Sequence, residues 1–418
     1  MTARLARWAL LLLTVFLLAV WLPQLYGLLA EQRLGKTRLF YSPVIERFVY
    51  TEQLGPGHQF VYRDEDGTDY DRRTFETLIP FIYYKNMELW GRLPLALAGQ
   101  RFDRETIVAE RQVLELKPRE LPEHAPRIAL YPLLESNPGR ARLRFPENVM
   151  RPGTELTFID SDHNRRDPEL SERFTDALSG AGFRFPVRAT FARVSILKAF
   201  DAGHFLLDAQ GALFHLRRVD GQPRVDRVPL PAGIEIRHLK VTENKRHEIL
   251  GILLTRDDRL LLLREADYGL VPLDLPGYQP DRMALKILFD PLHRTAIYSD
   301  QQRIQAVVMD HQWQPIASHR RAMTTHREGV GERIWEALVP FELALHDPDQ
   351  RYLQLMPRPH GPSALFGIGL ALLLTLVRLK RHRPQPAQAG AELLLVGLTG
   401  LYGLAALLLI PGPPSRAH

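Results

Sequence analysis

The 418-residue chain contains no cysteine. That single absence excludes disulfides, thiolate zinc sites, iron–sulfur clusters and a cysteine nucleophile. There is no phosphate-cradling P-loop, and "GVGERIW" (residues 329–335) lacks the third glycine of a dinucleotide loop. Among the 15 histidines, those of "RHEIL" and "HREGVGE" have no second histidine at zincin spacing. "GPSAL", around Ser363, lacks the second glycine of a nucleophile elbow. The net charge of +6 is not a nucleic-acid footprint, because Arg378, Lys380, Arg381 and Arg383 concentrate the excess in one short stretch.

What the chain does have is apolar ends around a polar middle. Mean hydropathy is slightly negative at −0.18, and that average conceals three apolar segments. Residues 8–30, "WALLLLTVFLLAVWLPQLYGLLA", exceed the roughly 20 helical residues that cross a hydrocarbon core. Trp8, Trp21 and Tyr26 sit where an aromatic belt belongs. A cleavable signal peptide is the rival reading. Leu28 at −3 from a cut after Ala30, together with the length of the run, favours an uncleaved anchor. The segments at 362–377 and 393–410 read as a second and third span joined by the basic stretch. Gly367, Gly397, Gly400 and Gly403 are small residues suited to close helix packing.

Short, strongly basic loops stay cytoplasmic. Arg378, Lys380, Arg381 and Arg383 therefore put the amino terminus inside and the middle of the chain outside. The expected layout is a cytoplasmic terminus (1–7), a transmembrane helix (8–30), an external α+β domain (31–190) and an external β-rich, propeller-like domain (191–360). A transmembrane helix (361–378), a basic cytoplasmic loop (379–391), a third helix (392–410) and an external tail (411–418) follow. The expected fold class is thus membrane-anchored α+β, a mainly β external domain with partial propeller-like hairpin repeats, plus three transmembrane helices.

Two helices are legible in the middle. "RDPELSERFTDALSGAG" offers Asp167 as N-cap, Pro168 at the first helical position and an apolar face of Leu170, Phe174, Ala177 and Leu178. "RRTFETLIPFIYYKNMELWG" reads as a helix kinked at Pro80 and stopped by Gly91. Three hairpins, "FLLDAQGALFHL", "ILLTRDDRLLLL" and "AIYSDQQRIQAV", have their turns at Asp208, Thr255 and Ser299, 47 and 44 residues apart. Each is followed by another strand-like piece, a spacing typical of propeller blades. "HQFVYRDEDGTDY" is a fourth hairpin of the same kind.

Acidic clusters invite a metal reading and fail it. "RDEDGTDYD" gathers Asp64, Glu65, Asp66, Asp69 and Asp71, yet Asp66-Gly67 is a favoured hairpin turn pair. Asp160, Asp162 and Asn164 open like an EF-hand loop, but Arg165 and Ser171 stand where its glycine and closing glutamate belong. Glu135 is one carboxylate in an apolar setting, and the sequence alone does not show whether His311, His319 and His326 converge in space. No catalytic, cofactor or metal residues emerge, so recognition or coupling is the better class of function.

Several blocks together carry a resemblance: "LFYSPVI", "LYPLLES", "RFTDAL" with "GFRFPVR", "GHFLLDAQGALFHL" and "VPFELALHDPDQRYLQLMP". Over residues 39–357 the chain resembles a family of uncharacterised bacterial proteins known as a domain of unknown function. Its members carry an N-terminal anchor and are often encoded beside ABC transporter ATPase and permease genes. The resemblance implies a non-enzymatic accessory subunit of an ABC-type transporter in the bacterial inner membrane, with its main domain periplasmic. The alternative is a membrane-anchored periplasmic hydrolase or ligand-binding protein with a dispersed Asp/Glu/His site.

Overall fold

The computed structural model describes residues 2–29, 37–53, 59–140, 142–323, 330–347, 349–382 and 384–411. In chain order, α1 (Thr2–Leu29) precedes β1 (Arg38–Ser42), β2 (Arg47–Gln53) and β3 (Phe60–Asp64). Next come α2 (Arg72–Leu78), α3 (Tyr84–Leu89), β4 (Leu95–Leu97), β5 (Gln100–Phe102), α4 (Arg104–Glu110) and β6 (Gln112–Leu116). Strands β7 (Asn148–Pro152), β8 (Leu156–Asp160) and β9 (Arg165–Asp167) lead into α5 (Pro168–Gly180). Three antiparallel meanders follow. The first is β10 (Ala189–Phe191), β11 (His204–Leu207), β12 (Leu213–Val219) and β13 (Gln222–Arg227). The second is β14 (Ile236–Val241), β15 (Ile249–Thr255), β16 (Leu260–Arg264) and β17 (Leu270–Leu273). The third is β18 (Ala284–Phe289), β19 (Arg294–Ser299), β20 (Arg303–Met309) and β21 (Pro315–Ala322). The chain ends in α6 (Val330–Leu338), β22 (Phe341–His346), β23 (Leu353–Pro359), α7 (Ala364–His382), α8 (Pro386–Thr399) and α9 (Leu401–Leu409).

Contacts divide the chain into two units. One is β-rich, within residues 37–52 and 60–323, and the other is helical, drawn from both ends of the chain. The division expected near residue 190 is not a boundary of contacts, because α5, β7 and β8 share a core with the first meander. In the other unit, β22 and β23 cluster with the terminal helices and not with the β-rich unit.

The fourth hairpin, in "HQFVYRDEDGTDY", supplies β3 at the edge of the β1-β2-β3 sheet, whereas the three around Asp208, Thr255 and Ser299 are each the inner pair of a meander. Their nearly unbroken apolar runs follow from burial on both faces. Along β15 and β16, Ile252, Leu254, Leu260 and Leu262 enter the core shared with the third meander. Leu253, Leu261 and Leu263 enter the core shared with the first. Successive side chains point to opposite faces of a strand, so a sheet sandwiched between two others has no polar side. Each such fully buried leucine stabilises by about 1.5–3 kcal/mol. The turns are closed by side chains: Asp208 Oδ1 accepts from the backbone of Gln210 and Ala212, both at 2.8 Å. Thr255 Oγ1 accepts from Arg259 N at 2.9 Å. Gly203 is obligatory where β11 begins, with φ +82° and the Leu216 carbonyl where a Cβ would lie.

Asp167 caps α5 by accepting from Leu170 N, and Pro168 opens the helix as expected. Pro80 does more than kink its helix: α2 ends at Leu78 and α3 begins at Tyr84, since proline offers no donor to carry the ladder through.

Among the described residues, one stretch, Arg4–Leu29, is long and apolar enough by itself to cross a membrane. Helix α7 carries Lys380, Arg381 and His382 in its last turn, where cations complement the helix dipole. The expected basic loop is therefore mostly helix, because α7 continues to His382 and α8 already starts at Pro386. The expected third helix is broken at Gly400, whose φ of +56° no regular helix accommodates.

Candidate functional site

Two surface recesses and two buried ionic clusters compete for a functional role. The more polar recess, about 1020 Å³, lies around residues 243–248 and the end of α4. Its lining holds four cations (Arg111, Lys245, Arg246, Arg264) and four carboxylates (Glu110, Glu243, Glu248, Asp267). These largely neutralise one another: Arg246 is paired with both Glu110 and Glu248, and Arg264 with Asp267. Behind them the buried Arg294 donates to the Asp290 carbonyl at 2.8 Å and stacks over Phe289. With all four of its carboxylates already paired, this recess reads as structural.

Nearby, Lys198 is enclosed between two carboxylates. Its Nζ donates to Asp201 Oδ1 at 2.5 Å and to Glu243 Oε1 at 2.6 Å, and each side chain is at most 1% exposed. Ser136 Oγ and Gly203 N complete Asp201. The cluster joins the loop before β11 to the residue just after β14, and so ties two adjacent meanders.

Two histidines lie close by. Burial drives both His204 and His215 down to about 4. His215 Nε2–H donates to the Ala202 carbonyl and its Nδ1 accepts from the Tyr268 hydroxyl at 2.8 Å, which sets the tautomer. His204 has no hydrogen-bond partner at either ring nitrogen. A base whose pKa is depressed on folding contributes full stability above its unfolded value near 6.5 and loses it as pH falls toward 4. Each histidine should therefore cost up to about 1.4 kcal/mol per pH unit in that window. Unfolding followed from pH 7 to pH 4 should show His204→Phe losing less stability than wild type. Identical pH profiles would refute this.

The second recess has a different character. The sheet ordered β21-β20-β19-β18-β6 is wider than its cover. Leu39, Tyr41, Phe48 and Tyr50 of the β1–β3 sheet pack on Ile304, Ala306 and Val308 of β20, with Ile297 of β19 at the edge. The same face of β18 and β6 borders a cleft of about 570 Å³, inside the roughly 300–1,000 Å³ range of small-molecule sites. Val113, Leu288 and Ile297 form its floor, while Ile79, Phe81 and Ile82, beyond α2, form a wall. The floor follows from register: Val113 pairs with Leu288, Glu115 with Lys286, and Lys286 with Ile297. Four cations line the cleft (Arg38, Arg111, Lys117, Lys286) against two carboxylates, Glu115 and Asp290. Lys286 and Lys117 share Glu115 at 2.9 and 3.1 Å, and the Lys286 ammonium foremost holds that carboxyl below its usual range.

In the helical unit, Arg378 does not face solvent with its neighbours. Its Nη1 donates to Glu392 Oε2 at 2.8 Å, and Arg7 Nη2 donates to Glu392 Oε1 at 2.9 Å. Gln388 Nε2 adds a third bond at 3.0 Å. This joins the start of α1, the end of α7 and α8. Lys380 and Arg381 are exposed, and Arg383 lies outside the described residues. A Cβ on Gly367 would strike the Leu338 carbonyl of α6, and one on Gly400 would lie 3.0 Å from Pro340. Gly403 abuts Thr399 and Val396, whereas Gly397 borders open space. Gly400 lies at the break between α8 and α9 and Gly403 inside α9, so the two are not on one continuous helix. Glu392 went unnoticed in the sequence, although a lone acid beside an apolar run is the signal that would have found it.

The acidic residues weighed for metal have other tasks. Asp64 accepts from Asp66 N, Thr68 N and the Tyr70 hydroxyl. Asp66 and Asp69 pair with Arg47 and Arg63, and Asp71 caps α2. Glu65 lies 3.4 Å from His319, and Asp160 closes its own turn with Asp162 and His163. Glu135 accepts from Asp220 N and Gly221 N. His311 bonds Arg294 and the Pro291 carbonyl, and His326 lies outside the described residues. Among the described residues no group of three or more potential ligands converges.

Residues 38–309 match the family model described as "Domain of unknown function (DUF4857)". No curated protein matches the chain. Two solved structures show low similarity. The dihydro-heme d1 dehydrogenase NirN in complex with DHE is 13% identical, over 46% of this chain and 47% of that one, at a TM-score of 0.22. PorZ, a surface component of the type-IX secretion system of Porphyromonas gingivalis, is 11% identical, over 71% and 33%, also at 0.22. The chain thus spans less than half the length of either.

Proposed function

The chain belongs to the DUF4857 family, and from that premise we propose that it is a non-enzymatic envelope protein held in the bacterial inner membrane. In this reading it spans three times, through α1, α7 and the broken pair α8–α9, with its β-rich unit periplasmic. The three meanders act as propeller-like blades in a recognition domain, and the partner is the permease and ATPase of an ABC-type transporter.

The observation that carries the orientation is the Arg7–Glu392–Arg378 cluster. It puts the amino-terminal end of α1 and the α7–α8 turn at the same end of the helical unit. An odd number of spans with both of those ends inside leaves the segment between α1 and α7 outside. The exposed Lys380 and Arg381 beside that turn suit a cytoplasmic headgroup region. The partner rests on the family resemblance and on the absence of a nucleotide motif in the chain itself.

One experiment tests both parts. The wild type has no thiol, so single-cysteine variants report without background. Leu197→Cys should react with a membrane-impermeant maleimide in spheroplasts, and Lys380→Cys only after permeabilisation. The labelled protein, extracted in mild detergent, should bring down a permease and an ATPase. The reverse labelling pattern overturns the orientation, and recovery of the solitary chain overturns the transporter role.

A further inference from the structure

We propose that the cleft over β18 and β6 is a binding site for a single-chain anionic lipid, with its tail on the sheet and its head at Lys117 and Lys286. This goes beyond the transporter reading and does not depend on it.

Width is the first argument. Of the strands that cover this face of the five-stranded sheet, β1 and β2 supply the packed core residues, so part of an apolar sheet face is left beside the cleft. Val113 is 49% exposed at mid-strand, although the alternate residues Leu114 and Leu116 are about 1% exposed on the opposite face. A strand that buries one face completely and leaves an aliphatic residue open on the other has a surface suited to an apolar occupant.

Charge complementarity selects the head. On the next row of the floor, Glu115 is shared by two ammonium groups, so about one positive charge is left without a partner. An incoming carboxylate or phosphate can take one lysine without stripping Glu115 of the other. Charge-assisted bonds of this kind are the strong ones. Arg38 adds positive charge elsewhere in the lining, and Arg111 is shared between this cleft and the polar recess beside α4. A wholly neutral apolar ligand would gain nothing from this arrangement. A compact polar anion would leave Val113, Leu288 and Ile297 in water. An amphiphile satisfies both halves.

The test uses the full chain transferred to an amphipol, so that no detergent competes. Titration with cis-parinaric acid, read by its fluorescence, should show saturable one-to-one binding, and its methyl ester should bind about tenfold more weakly. Lys286→Gln combined with Lys117→Gln should weaken the acid by a similar factor and leave the ester unchanged. Val113→Glu should abolish binding of both; the residue is half exposed, and an unchanged melting profile would verify the fold. Leu197→Glu, an exposed site outside the cleft lining, is the control and should bind like wild type. Absence of saturable binding, equal affinity for acid and ester, or full binding by Val113→Glu would each overturn the proposal.

Discussion

Replacing Glu392 with leucine is expected to destabilise the helical unit by about 3–5 kcal/mol, the usual cost of breaking a buried ion pair by removing one partner. Glu392 is 1% exposed and serves two guanidiniums at once. Its loss leaves Arg7 and Arg378 close together, partly buried and unneutralised. The penalty comes from those orphaned cations more than from the lost attraction. The triple replacement Arg7→Met, Glu392→Leu, Arg378→Met should therefore recover much of the loss, since apolar substitutes for a buried ionic cluster are often neutral or better. Thermal unfolding of the full chain in detergent distinguishes the cases. If the single and triple variants melt alike, the cluster is not what clamps α1, α7 and α8.

Lys198→Met should act on the other unit with similar force. Asp201 and Glu243, nearly inaccessible, would face each other without the ammonium that separates them. At neutral pH the expected cost is again about 3–5 kcal/mol, felt where the first two meanders meet. Its pH dependence follows from sign. Burial already pushes the Glu243 carboxyl up, and losing Lys198 raises it further. A carboxyl whose pKa is raised on folding contributes stability below its unfolded value, near 4.3, and loses it as pH rises through the folded one. The difference between variant and wild type should thus shrink as pH falls toward 4. Lys198 also helps to hold His204 down, so its removal lets that histidine take a proton at less cost and narrows the difference on acidification in the same direction. A deficit that stays constant or grows on acidification would show that the cluster is not electrostatic in origin.

Much of the fold was legible because it is local. Asp167 and Pro168 announce α5, and the runs around Asp208, Thr255 and Ser299 announce three hairpins. Strand β6 was not legible. "QVLEL" joins a sheet whose other strands begin about 170 residues later, and nothing in its own five residues names that partner. The cleft was hidden for the same reason. Val113, Leu288 and Ile297 come from three strands, and only register puts them side by side.

The sequence by itself determined the chemistry that is excluded, the apolar N-terminal helix and the position of the main turns. Those properties depend on composition, on hydrophobic period and on neighbours a few residues apart. Tertiary structure decided what Glu392 does, where the third apolar segment breaks, and which part of the five-stranded sheet is left open. Each depends on groups brought together from distant parts of the chain. Arg7 and Glu392 are 385 positions apart, and a charge that far away leaves no trace in local sequence, although in the folded chain it is the nearest partner.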